Sequence, residues 1–500
     1  MDIFSNIILG VHVAFSVENL LYCTLGVTLG TLIGVLPGVG PVVTISVLLP
    51  LTFGIPVEGA LIMLAGIFYG SQYGGSTTSI LLNTPGEAAS VVTCIDGHKM
   101  AVDGRAGPAL SIAAIGSFFA GCVGTLLIAL FGPALTSVAL QFGAEEYFSL
   151  ILLALVLSAA LVHGSMAKGL AMALIGILLG LIGTDVNSGI RRFTFGFGEW
   201  ADGIDFTVLA IGLFAIAEIA NVLVGPDGVS TKAQAIKRFF PNREEFRQST
   251  MPILRGTTVG SIVGVLPGAG SAIASFMAYT VERKVSRTPE RFGHGAIEGV
   301  ASPEAANNAA SQTSFIPTLT LGIPGSATMA LFLGALMIQG IAPGPTVMTR
   351  HPDLFWGLIV SMWVGNLILV IINLPLVGLW ASVLKVPYRW LFPSILVFCS
   401  MGIYSVGGSA FDIIVAGLFG VVGFGMMRLG FEPAPLILGF VLGPMLEENF
   451  RRALLLSRGD LTTFLTEPIS GVLLLGALVT TIMLTVPQLR KTKEEATREG

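Results

Sequence analysis

From Asn19 to Val57 the chain carries no charged side chain, yet the same run is cut by Pro37-Gly38-Val39-Gly40-Pro41. That pairing of a membrane-compatible stretch with an internal break constrains the fold more than any other feature. A bilayer core takes roughly 20 apolar residues as helix. Proline removes a backbone donor and collides with the preceding turn, so a Pro-Gly pair marks a break or tight turn. In hydrocarbon, broken backbone is tolerated only inside protein or beside a water-filled cavity. The breaks are therefore expected inside a helical bundle.

Further charge-free stretches run over Gly59–Gly86, Ala106–Ala144, Tyr147–Ala167, Ala305–Thr349, Leu354–Leu384, Trp390–Phe411 and Pro468–Leu489. Shorter ones are Gly169–Thr184, Phe206–Ala217, Ile413–Met427 and Pro433–Leu446. About ten to fourteen membrane segments are expected on this spacing. Two stretches exceed one span and suit tilted helices kinked at Pro133 and Pro375. Only 11% of the 500 residues are charged, against about 25% in soluble domains. An ordinary soluble enzyme and a disordered chain are excluded. A net charge of −4 offers no basic surface for nucleic acid. The four cysteines are isolated and form no CxxC or disulfide framework. No cleavable signal peptide is expected, because the first twenty residues contain no Lys or Arg.

The halves repeat. GVTLGTLIGVLPGVG from Gly26 to Gly40 matches GTTVGSIVGVLPGAG from Gly256 to Gly270. A looser match sets Ser79–Gly86, ending Asn83-Thr84-Pro85-Gly86, against Thr318–Gly325, ending Gly322-Ile323-Pro324-Gly325. A third pairs His163-Gly164-Ser165 with Gly407-Gly408-Ser409, and Lys168 with Asp412. The organisation expected is a first transmembrane repeat (1–225), a polar basic linker (226–255), a second repeat (256–450), and a last helix with a charged tail (451–500). Basic loops flank Gly256–Thr280, which reads as a helical hairpin with Pro267-Gly268 at its tip if both loops are cytoplasmic, or otherwise as a single span. The first half has no Lys or Arg before Lys99 and is not oriented by this rule.

Corresponding Gly/Pro-interrupted segments in two halves point to a secondary-transporter binding site. Two polar runs accompany the breaks: Gln72–Gly86, with Ser76, Thr77, Thr78 and Ser79, and its expected counterpart Glu304–Ser314, with Asn307, Asn308, Ser311 and Thr313. Hydroxyls and amides coordinate small cations and donate to carboxylates. Half-helix N-termini supply unpaired N–H groups and partial positive charge. The expected substrate contacts are Ser76, Thr77, Thr78, Ser79, Asn83, Thr84, Pro85, Gly86, Asn307, Asn308, Ser311, Thr313, Pro324 and Gly325. Pro37, Gly38, Gly40, Pro267, Gly268, Gly270 and Glu304 are assigned to hinges or ion binding. Na⁺ is placed at the broken helices without assigned ligands. Hydroxyl-mediated helix packing is the plainer reading of any single Ser or Thr. Cationic side chains are scarce in the apolar blocks, so an anionic substrate is expected to rest on helix ends, amides and hydroxyls. Lys168 reads as an interfacial residue. Glu145, Glu146 and Glu218 read as interfacial too, and Glu447-Glu448 with Arg451-Arg452 as a boundary cluster.

No catalytic motif stands out. The five histidines are scattered, and HExxH, GxSxG and Walker A patterns are absent. The fold class expected is an all-α polytopic membrane protein of two related halves, an inverted-repeat, elevator-like carrier, with a parallel repeat left open by the sequence. The function classes to weigh are a coupled carrier, a passive channel, and a membrane enzyme or receptor-like scaffold.

At Gly34–Pro41, Tyr73–Gly86, Pro303–Ala309, Ser314–Gly325 and Leu436–Gly443 the chain resembles the large membrane subunit of the tripartite tricarboxylate transporters, TctA. The likeness runs nearly end to end. It implies a multi-pass permease of the bacterial inner membrane, not an enzyme. It further implies two partners, a small four-helix membrane subunit (TctB-like) and a periplasmic solute-binding protein (TctC-like) that delivers a citrate-like di- or tricarboxylate. Import would be driven by a cation gradient, with Na⁺ the usual proposal and H⁺ the alternative.

Overall fold

Glycines spaced four apart put a strip without side chains along one helix face. Such a strip lets two backbones approach closely in a membrane. The chain uses it twice. The computed structural model describes residues 3–36, 40–161, 165–185, 187–224, 238–383 and 388–485. Its longer helices in chain order are α1 (Ile3–Ala14), α2 (Val17–Gly34), α3 (Pro41–Leu48), α4 (Val57–Leu82), α5 (Ala106–Ala139), α6 (Ala144–Leu161), α7 (Met166–Gly180) and α8 (Phe206–Val224). There follow α9 (Arg243–Gly264), α10 (Gly270–Val285), α11 (Glu298–Thr313), α12 (Phe315–Leu321), α13 (Ala327–Ile338), α14 (Pro352–Val383), α15 (Tyr388–Gly407), α16 (Ala410–Arg428), α17 (Ala434–Leu456) and α18 (Pro468–Thr485). Gly183–Thr184 and Arg191–Arg192 form a small antiparallel ribbon in the α7–α8 loop.

Gly26, Gly30 and Gly34 of α2 face the backbone of Met63, Ile67 and Ser71 on α4. A Cβ on Gly30 would stand 2.5 Å from the Ile67 carbonyl oxygen. Gly256, Gly260 and Gly264 of α9 meet Ser302, Ala306 and Ala310 of α11 in the same way. Both pairs run parallel. The contacts also set the correspondence of the halves: Ser71 matches Ala310, so Gln72 matches Ser311 and Asn83 matches Gly322. The polar run Ser76–Ser79 thus has Phe315–Thr318 as its counterpart, not Glu304–Ser314. The sequence comparison placed it by composition, whereas the backbone seam sets the register.

The central helices are enclosed on all sides. Every residue from Gly59 to Leu82 and from Gly299 to Thr313 is buried. They cross antiparallel: Ser76 meets Glu304, and Phe68 meets Phe315 with ring centroids 6.2 Å apart. The halves interleave around them. α5 lies along α11, with Gly116 against Ala301 and Gly124 against Ala309. α14 lies along α4, with Gly365 against Tyr69. α7 packs on α17 through Gly176 and Gly439, and α16 packs on α8 through Gly423 and Gly212.

α5 and α14 are 34 and 32 residues long and contain Pro133 and Pro375. At 1.5 Å per residue each is about 50 Å long, more than a bilayer core, which suits tilted spans. Among the described residues six helices are long and apolar enough to cross a membrane, and six more apolar helices are shorter. Two of the shorter ones, α3 and α13, are part-helices that follow Pro-Gly breaks. Large apolar side chains are exposed on the outer helices, for example Val17, Val421 and Val472 at 70–75%, as lipid contact requires. This is an all-α polytopic membrane protein.

The expected hairpin is present. α9 and α10 pack together, and Arg255 donates to both oxygens of Glu282 at 2.8 and 2.6 Å. Of the expected linker, residues 226–237 lie outside the described residues, and α9 begins at Arg243, capped by Asn242. The tail from 486 and His163 also lie outside them. The boundary cluster exists and is larger than expected. Arg451 donates to Asp185 at 3.1 Å and pairs with Glu447 at 2.6 Å, and Arg192 reaches Glu447 at 2.7 Å.

Three outcomes are expected from this architecture. Gly260→Ala forces α9 off α11 and lowers the thermal unfolding midpoint in detergent, by about 1–3 kcal/mol of stability. Gly417→Ala, where the space is open, is neutral or stabilises by up to about 1 kcal/mol. The Ser188 hydroxyl and then Arg451 hold the Asp185 carboxyl below the usual range. Its folded value is depressed, so its stabilisation is present above about pH 4 and fades as pH falls below that. The midpoint difference between wild type and Asp185→Asn should stay constant from pH 8 to 5 and narrow in more acid buffer.

Candidate functional site

α4 ends on a left-handed residue, Asn83 with φ 57°, and α12, which follows α11 after Ser314, ends on another, Gly322 with φ 72°. Such a cap satisfies the last turn and reverses the chain. An X-Pro-Gly follows each, and then a new N-terminus. Glu87 opens the 3₁₀ turn Ala88–Ser90 with a reciprocal cap to Ser90, and Ser326 opens α13 by accepting from the Met329 N–H at 3.3 Å. The breaks of the second half are joined directly: Gly268 N donates to Gly325 O at 2.9 Å. Gly268 and Gly270 both have positive φ, 81° and 61°, so the α9–α10 turn depends on residues without a Cβ.

These ends enclose a cavity of about 540 Å³. Three helices of eight residues or more begin at its wall: α3 at Gly40-Pro41, α10 at Gly268–Ser271, and α13 at Ser326-Ala327. Glu87 stands at a fourth edge with Pro85 and Gly86. Helix starts present free N–H groups and partial positive charge, which suit an anion. Among the described residues no Lys, Arg or His lines it, whereas Glu87, Glu218 and Glu432 do. Gln72 lines the wall from α4; it is fully buried and neither atom of its amide has a protein partner. A buried amide aimed at a cavity is set to bond whatever occupies it.

The residues expected from sequence divide. Pro85, Gly86, Gly40, Gly268 and Gly270 line the cavity. Gly325 sits just behind it, bonded to Gly268, with Pro324 beside it. Pro37 and Gly38 lie outside the described residues, and Pro267 is off the wall. Asn83 serves as the helix cap, and the Thr84 hydroxyl bonds Leu82 O. Ser76, Thr77, Thr78 and Ser79 are buried within α4, away from the cavity. Thr78, Ser311 and Thr313 return their hydroxyls to their own helices, at Gly75 O, Asn307 O and Ala309 O. Asn308 bonds Ser117 at 2.7 Å on α5. Asn307 does reach the site through its neighbour, donating to Glu87 at 3.2 Å. Glu304 is buried behind the wall and takes the hydroxyls of Ser76, at 2.5 Å, and Thr93.

Sequence reasoning missed Glu87, Gln72, Ser271, Ser326 and Thr328, and took Glu218 as interfacial where it lines the cavity. Glu87 and Ser326 had a signal, each being the polar residue directly after a Pro-Gly break. Lys168, in contrast, caps α16, donating to Leu429 O at 2.6 Å with Phe431 beneath it.

The chain was compared with known proteins. An Agrobacterium vitis protein described as "Uncharacterized 52.8 kDa protein in TAR-I ttuC' 3'region" is 53% identical over 495 residues, 99% of each chain. A second from the same organism, "Uncharacterized protein in TAR-II ttuC' 3'region", is 56% identical over 236 residues, 47% of this chain and 98% of that one. No solved structure matches. Residues 20–438 match the model of the "Tripartite tricarboxylate transporter TctA family", and so the chain, with its duplicated breaks closing on one cavity, belongs to that family of transporter components.

Proposed function

We propose that this chain is the translocating subunit of a secondary carrier that imports a di- or tricarboxylate of the citrate kind, delivered by a periplasmic TctC-like binding protein. A TctB-like small membrane subunit completes the assembly in the bacterial inner membrane. The observation that carries the reading is the cavity walled by three helix starts and the unpartnered Gln72 amide, with no cationic side chain among the described lining residues. Helix starts bind carboxylates through N–H groups fixed in place, and they release them without breaking a salt bridge. A carrier has to do both. The volume of about 540 Å³ admits a small polycarboxylate with some of its water.

The antiparallel crossing of α4 with α11–α12, which are counterparts in the duplication, supports an inverted-repeat arrangement. In the alternating-access scheme we adopt, the broken segments move as a block with the cavity, elevator-fashion, against the long tilted helices α5 and α14. Transport draws on a cation gradient, Na⁺ in our reading. The three cavity carboxylates support this, since an anion beside them needs cations with it.

Uptake of labelled citrate into proteoliposomes holding both membrane subunits, with the binding protein outside, tests the reading. Accumulation above equilibrium under an imposed inward Na⁺ gradient is expected. Equilibration without accumulation under any ion gradient would make the chain a channel. Gln72→Leu should raise the half-saturating substrate concentration about tenfold, the scale of one lost hydrogen bond to a charged group. Ser311→Ala, whose hydroxyl is spent on its own helix, should stay within about twofold.

A further inference from the structure

On the outside of the bundle an apolar groove of about 880 Å³ runs between α5 of the first half and α9 of the second. Nearer the start of α9 the two helices touch, with Gly116 against Ile253. From Thr257 onward they part. Leu127 and Phe131 wall the groove on α5, Thr258 and Ile262 wall it on α9, and the buried Thr313 and Ile316 form its floor. Phe131 and Ile262 are exposed, so the groove opens sideways to the lipid. The hydroxyls of Thr257, Thr258 and Thr313 are returned to Ile253 O, Leu254 O and Ala309 O, at 2.8, 2.9 and 3.0 Å. With those polar atoms spent on their own helices, the groove suits an apolar occupant.

The same face of α9 continues back to the helix start. Arg243, Arg247, Thr250, Leu254, Thr258 and Ile262 are spaced by three or four residues and are all exposed. Other arginines at this end are paired, Arg105 and Arg238 with Glu245 and Arg255 with Glu282. The exposed Glu244 carboxylate accepts from Gln248 at 3.1 Å. Arg243 and Arg247 have no ion pair among the described residues. The exposed Phe240 and Phe246 beside them place this end of the helix at a membrane surface. The positive-inside rule makes that surface the cytoplasmic one, where the leaflet carries anionic lipids. The depth agrees. Arg247 and Ser261 are about 21 Å apart along the helix at 1.5 Å per residue, and half a bilayer with its headgroups is about 20–22 Å thick. A phosphate at Arg247 therefore brings the end of its acyl chain to the groove. A transmembrane helix fits less well, since close helix approach calls for small residues and the groove is rimmed by Leu127, Phe131 and Ile262.

We propose that this face of α9 binds an anionic phospholipid of the cytoplasmic leaflet, with its phosphate at Arg243 and Arg247 and one acyl chain laid along Leu254 into the groove between α5 and α9. Lipid binding is read without transport, so its outcome and that of citrate uptake are separate.

The purified full-length chain is titrated in detergent with dioleoyl phosphatidylglycerol or dioleoyl phosphatidylcholine, and bound lipid is counted by native mass spectrometry. One saturable phosphatidylglycerol adduct is expected, with phosphatidylcholine bound at least about tenfold more weakly. Arg243→Gln and Arg247→Gln should each weaken phosphatidylglycerol about fivefold, the scale of one basic residue at an anionic surface, and leave phosphatidylcholine unchanged. Thr258→Trp fills the groove from an exposed position and should weaken both lipids on the order of tenfold. All three positions are exposed, so without lipid each variant should melt within about 2 °C of wild type. Equal binding of the two lipids would mean chains that merely coat the protein and would overturn the site. So would phosphatidylglycerol binding that the arginine variants or Thr258→Trp leave unmoved. Displacement of the lipid by the small membrane subunit, with Thr258→Trp blocking that assembly, would overturn it in favour of a helix-docking face.

Discussion

The structure depends on two helix pairs whose backbones touch. Where Gly26, Gly30 and Gly34 meet α4, and Gly256, Gly260 and Gly264 meet α11, carbonyl oxygens stand where a Cβ would be. In lipid no hydrophobic force draws helices together, so close van der Waals contact has to supply the attraction. The seams have a second effect. They press the break loops against neighbouring backbone, as where Gly86 lies on the Gly34 carbonyl. Unpaired backbone at membrane depth is costly unless it is covered or faces a wet cavity. The seams cover one side of the breaks and leave the other to the cavity.

The electrostatics of that cavity follow from backbone geometry. Each helix start is equivalent to about half a positive charge. Three of them give about +1.5, with no Lys, Arg or His among the described residues of the wall. Opposite stand three carboxyl groups, Glu87, Glu218 and Glu432. Under the carrier reading proposed above, a polycarboxylate would enter a site short of positive charge, and the deficit would be met by cations or protons that arrive with it. A cavity lined with arginines would bind the same anion more tightly and without an ion partner, but it would hold it on both sides of the membrane.

The seams were readable in the sequence because a glycine every fourth residue, repeated in both halves, weakens an apolar helix unless another backbone packs against it. The breaks were readable because Pro-Gly cannot continue a helix. The cavity wall was not. α4 is buried on every face, so its sequence has no amphipathic pattern to say that Gln72 meets the cavity while Ser76 and Thr77 turn to α5. The hydroxyl-rich run looked like a ligand surface because polar groups stand out in apolar chain. Several of them satisfy only their own helix, as Thr78 and Thr313 do. Glu218 looked interfacial because it lies near the end of an apolar stretch, and only the packing of α8 on α16 brings it to the wall.

One chain of contacts runs from the cavity into the bundle. Glu87 at the cavity accepts from Asn307, and Asn307 lies one turn beyond Glu304 on α11. Glu304 accepts from Ser76 on α4, one turn beyond Gln72, which lines the cavity. The crossing of α4 with α11 that brings Ser76 to Glu304 is therefore also what sets Asn307 on Glu87, so the shape of the cavity wall depends on a buried polar contact made behind it.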